Sequence, residues 1–136
     1  MDTARFAKIV AEEFPRAVPE KFRARLKNVA FLVEDEPDLE TREAEGLLGD
    51  ATLLGYYRGI PLAERGEHYG LGDATLPDTV TLYRLPILDE AEDAGGGDLA
   101  VRRVVRETIW HEVAHHFGLD ERQVETREDE LGHGRY

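Results

Sequence analysis

Cysteine is missing from this 136-residue chain. Its absence excludes disulfides and thiolate metal ligands, so any metal site would have to rest on histidine and carboxylate. Positive charge is scarce as well. Lys and Arg number 17 against 29 Asp and Glu, a net charge of -12 at pH 7. That balance argues against a nucleic-acid backbone and against anionic membranes as partners, since both are bound through Lys and Arg. No apolar run approaches the ~20 residues of a membrane span. The N-terminal stretch M-D-T-A-R-F-A-K-I-V-A-E-E interrupts its apolar pattern with acids and offers no signal-peptide core. A cytoplasmic location is the simplest expectation. No repeat and no linker divides the chain, and its length suits one domain over residues 1–136.

What the chain does have is concentrated in Ile109–Glu121, I-W-H-E-V-A-H-H-F-G-L-D-E. His111, Glu112 and His115 spell H-E-x-x-H. Residues four apart share a helix face, so both imidazoles can reach one point. Zinc accepts neutral imidazole nitrogen, and Glu112 is placed to take a proton from a metal-bound water without being a ligand. Gly118 follows three residues after His115 and can adopt positive φ, ending the helix and turning the chain. Glu121 comes three residues later, completing H-E-x-x-H-x-x-G-x-x-E. A catalytic zinc site uses three protein ligands and an open position; His111, His115 and Glu121 would supply the three. The pattern alone arises by chance in unrelated chains, but an apolar helix ahead of it, a glycine at its end and an acid at ligand spacing all favour a site. His116 projects about 100° from His115 and reads as packing or as support for a ligand.

Taken in order, Thr3–Phe14 has helical apolar spacing at Phe6, Ile9, Val10 and Phe14, with Pro15 expected to stop it. Pro19 suits the first turn of a helix over Glu20–Leu26. Val29–Val33, V-A-F-L-V, reads as a strand covered on both faces, with the two helices over the sheet. Glu34–Glu45 holds seven acids against one Arg, the mark of a solvated loop and short helix rather than a cation site. Leu53–Arg58 predicts a second strand, broken by Gly59-Ile60-Pro61. Residues 64–75 look like a loop, with His68 read as solvated. Thr79–Leu85, T-V-T-L-Y-R-L, is the clearest strand. Ile87–Ala94 predicts a short helix. The glycines at 95–97 form a loop, and Asp98 serves as N-cap of an active-site helix, Leu99–Phe117, largely buried. Gln123–Leu131 is helix-like and charged.

The chain resembles the minimal zincin-like metallopeptidases. The likeness rests on L-L-G-Y-Y-R-G-I-P-L at 53–62, P-D-T-V-T-L-Y-R-L-P-I at 77–87 and the motif at 109–121, with V-E-D-E-P at 33–37 in support. The resemblance implies an α/β (α+β) zincin-like fold, in which a small mixed sheet packs beside the motif helix and the N-terminal helices. It implies zinc on His111 and His115, with Glu112 as catalytic base. Relatives place aspartate where Glu121 stands. Here Glu121 would reach the metal in another rotamer, Asp120 would substitute after a local shift, or the site would hold two protein ligands. Met1 is the sole methionine, so the Met-turn of metzincins is excluded. Glu125 and Glu128 rank below Glu121 as acidic ligands.

The expected activity is zinc-dependent hydrolysis of peptide or protein substrates, with Glu112 as general base. An extended peptide would pair with a sheet edge, for which Thr79–Leu85 is the candidate. Tyr83, Arg84 and His133 are possible oxyanion partners, each more naturally structural. The alternative is a non-catalytic metal-binding adaptor or regulatory module on the same scaffold, suggested by the small size and the altered third ligand. In either case metal binding should weaken as pH falls through the histidine range, near ~6.5.

Overall fold

The structure, a computed structural model, describes residues 1–59 and 77–118. Among these, eight elements follow in order: α1 Thr3–Ala17, α2 Glu20–Arg23, β1 Val29–Glu34, α3 Leu39–Ala44, β2 Gly55–Arg58, β3 Asp78–Tyr83, α4 Arg84–Asp93 and α5 Gly97–His116. The three strands form one mixed sheet in the order β1-β3-β2. Strand β1 runs parallel to β3 from Val29 opposite Asp78 to Glu34 opposite Tyr83. Strand β2 runs antiparallel to β3, with Gly55 opposite Leu82 and Arg58 opposite Thr79.

The core lies between this sheet and the helices. Val80 and Leu82 of β3, Phe6 and Ile9 of α1, Ile87 of α4, and Val105, Ile109, Trp110 and Val113 of α5 are all fully buried. Burial of this many large apolar side chains, each contributing about 1.5–3 kcal/mol, is the main force holding α5 in place. Phe22 of α2 packs on Trp110 and Phe117, with ring centroids 5.5 and 5.1 Å away. Phe14 of α1 meets Phe31 of β1 at 5.0 Å. The N-terminal helices therefore brace the motif helix, and α1 reaches the sheet through Phe14. Helix α3 buries Thr41. Asp38 caps α3 by accepting the Thr41 N–H at 2.8 Å, a bond that holds its carboxyl below the usual range.

A charged clamp fastens α1 to α5. Glu13 is 1% exposed, and a carboxylate so buried must be paired. It accepts hydrogen bonds from Arg106 at 2.7 Å, Arg102 at 3.1 Å and Arg16 at 3.3 Å. Burial pushes its pKa up, but the bonds from Arg106 and Arg102 and the charge of Arg16 outweigh burial, and the net shift is downward.

Several expectations are corrected. Pro15 does not stop the first helix, which runs to Ala17. A proline near a helix end forfeits one hydrogen bond, and burial of Ala17 and Val18 behind it, with the Val18 N–H bonded to Phe14 O at 3.2 Å, holds the final turn. The second helix ends at Arg23, short of Leu26. Among the described residues strand β1 is an outer strand with Leu32 44% exposed, so it is not covered on both faces. Asp98 is not the N-cap of α5. That position belongs to Gly96, and Asp98 in the first turn pairs with Arg5 of α1. Thr79–Leu85 is no sheet edge: β3, which spans Asp78–Tyr83, is bonded on both sides. The residues from Arg84 onward turn into α4.

Candidate active site

The motif lies on the last two turns of α5. One face of this helix is apolar and packs into the core, and a second carries the polar residues of the motif. Thr108 and Glu112 on that second face are buried, while His111 and His115 are half-exposed. The imidazoles of His111 and His115 stand with ring centroids 4.9 Å apart and planes inclined by 71°. Glu112 Oε1 lies 3.2 Å from His115 Nδ1. The spacing predicted to bring two imidazoles and a carboxylate together does so here. The helix then ends as expected: Gly118 has φ 75° and donates its N–H to His115 O at 2.9 Å.

Strand β2 comes unusually close to this face. A Cβ on Gly55 would lie 2.7 Å from Thr108 Cγ2 and 3.1 Å from Glu112 Cγ, so the separation exists only because position 55 has no side chain. Thr108 donates to Val104 O at 2.7 Å, which leaves its methyl against Gly55. Tyr56, next along β2, hydrogen-bonds Glu45. That bond, with burial and the negative charges of Glu45 and Glu112, holds its hydroxyl above its ordinary pKa.

Of the other sequence candidates, Tyr83 is buried, and burial raises its pKa. Arg84 bonds Asp35 at 2.9 Å and Met1 O at 2.7 Å. Both are engaged structurally. His116 is 1% exposed, with Nδ1 3.0 Å from Asp78 Oδ2, in keeping with a packed rather than ligating role. Glu121, Asp120, Glu125, Glu128, His68 and His133 lie outside the described residues. Among the described residues no three histidine, aspartate or glutamate side chains are grouped as a metal cage. Residue-by-residue reading missed Gly55, Tyr57 and Asp78. Their signal was present in the segments at 53–62 and 77–87, but only pairing of β2 with β3 shows what they face.

The donor chemistry fits zinc. Two imidazoles one helical turn apart offer borderline nitrogen donors, and the carboxylate beside them suits a proton acceptor. No helix among the described residues is long and apolar enough to cross a membrane. A comparison with curated proteins gives no match. The sequence profile of one family, described as zincin-like metallopeptidase, matches residues 26–131. That span takes in the whole sheet, α5 and the motif, and this chain belongs to the zincin-like metallopeptidases.

Proposed function

We propose that this chain, over residues 1–136, is a zinc-dependent metallopeptidase domain that hydrolyses peptide bonds, with Glu112 as general base. The observation that carries the reading is the meeting of His111, His115 and Glu112 on the last turns of a helix whose apolar face is buried in the core. His111 and His115 would hold the metal, with Glu121 as the third ligand. Bound there, zinc would polarise the scissile carbonyl and acidify a water. Glu112 is 7% exposed. It takes the proton of the attacking water and returns it to the leaving amine, two transfers one carboxylate can make in succession.

Correcting the place of β3 moves the peptide partner to a rim of the sheet. Among the described residues β2 is an outer strand, and it passes within van der Waals reach of Glu112 at Gly55. A substrate in extended form would add to β2 by backbone hydrogen bonds, with its scissile bond beside the motif. Glu112→Gln tests the reading. The variant should bind zinc as the wild type does and lose about 10²–10⁴-fold in cleavage of a diverse peptide library. Undiminished cleavage would remove Glu112 from the reaction. Zinc binding by the wild type without any cleavage would favour the adaptor reading.

A further inference from the structure

A second polar cluster lies beside the motif on the same helix. Asp78 opens β3 at 5% exposure, and His116 closes α5 at 1%. Asp78 Oδ2 lies 3.0 Å from His116 Nδ1 and accepts the Tyr57 hydroxyl at 2.7 Å. A carboxylate oxygen can only accept, so the His116 proton facing it sits on Nδ1. The Tyr57 ring stands edge-on to His116 at 5.8 Å, and Phe117 does the same at 5.3 Å. The backbone of Gly59 closes on the same carboxylate: a Cβ there would fall 2.3 Å from Asp78 Cγ. The cluster thus ties the last turn of α5 to both β2 and β3.

His116 follows His115 directly, about 100° further round the helix. Its ring enters the strands while His115 faces outward. The two share a peptide unit, so a ring anchored at 116 holds in place the backbone from which the ring at 115 projects. We propose that Asp78 and Tyr57, acting through His116, are positioning residues for the zinc ligand His115 and for the turn at Gly118. This rests on the zinc metallopeptidase reading above. Groups that orient ligands without touching the metal typically change metal affinity about 10–100-fold. Asp78 acts one residue removed, so the low end applies.

The experiment compares zinc affinity, by competition with a chromophoric chelator, and stability, by urea unfolding, across Asp78→Asn, Tyr57→Phe and Glu13→Gln. Glu13→Gln loosens the opposite half of α5 and controls for general destabilisation. Asp78→Asn should weaken zinc binding about 10-fold and Tyr57→Phe about 3-fold, the size of one lost hydrogen bond. Glu13→Gln should leave affinity unchanged while lowering stability. Wild-type affinity in Asp78→Asn, or an equal loss in Glu13→Gln, would overturn the inference. If Asp78→Asn is not recovered folded, Tyr57→Phe decides, and unchanged affinity there counts against the proposal. A wild-type protein that binds no zinc overturns the metallopeptidase reading itself and this inference with it, a result distinct from any ranking of the variants.

Discussion

Along α5, the first and last halves meet carboxylates in different ways. In the first half, Arg102 and Arg106 close on Glu13 of α1, a carboxylate pinned by cations and 1% exposed. In the last half, Glu112 has a histidine at 3.2 Å and a bare glycine against its stem. Both are glutamates on or against the same helix, and both are largely shielded from water. Surrounded by guanidinium groups, Glu13 is a poor base and a good fastener. Glu112 has an imidazole beside it and no guanidinium partner among the described contacts. The neighbours, more than the residue type, decide which carboxylate is locked into ion pairs.

That contrast can be broken in order of expected effect. Glu112→Gln should cost about 10²–10⁴-fold in turnover with little change in the urea midpoint. An equal loss of stability would mean the two ends of the helix do the same job. Glu13→Gln should do the reverse. The lost bonds to charged partners should remove roughly 1.5–3 kcal/mol of folding free energy, at the low end because the guanidinium groups stay partly in water, while kcat/KM per folded molecule holds. Gly55→Ala lies between the two. Forcing a methyl against Thr108 and Glu112 should destabilise by about 1–3 kcal/mol. It should also lower turnover, since Glu112 must move; a stability loss with unchanged turnover would show that β2 does not set the position of the base.

The smallest effect is in pH. The pKa of Glu13 is depressed in the folded protein, so its contribution is fully present above the ordinary glutamate value, near ~4.3. It is lost as pH falls through the lower folded value. Glu13→Gln should flatten that acid limb in a plot of urea midpoint against pH, and an unaltered limb would assign acid sensitivity to other carboxylates.

Much of this arrangement was legible in the sequence, and what was not has identifiable causes. The face shared by His111, Glu112 and His115 follows from helical spacing alone, and Gly118 at φ 75° follows from the freedom of glycine. The strand near 79–85 was recognisable from its β-branched residues, yet its central place was not, because chain order does not give spatial order. Burial of nearly every residue of β3 is the physical trace of that position. Pro15 misled because local propensity yielded to burial of Ala17 and Val18. Asp98 misled because Arg5, 93 residues away, offers a charged partner. Asp78 and Tyr57 were invisible for the same reason: an acid beginning one strand and a phenol on another acquire meaning only once the strands lie side by side.

The missing side chain at position 55 also bears on inhibition. With only a hydrogen at Gly55, β2 lies directly against the Glu112 stem and the Thr108 methyl, and on the proposed reading a guest strand added to β2 would start from that close approach. An inhibitor that carried its own strand would then meet the motif helix through that glycine, and a larger residue at 55 would push it away.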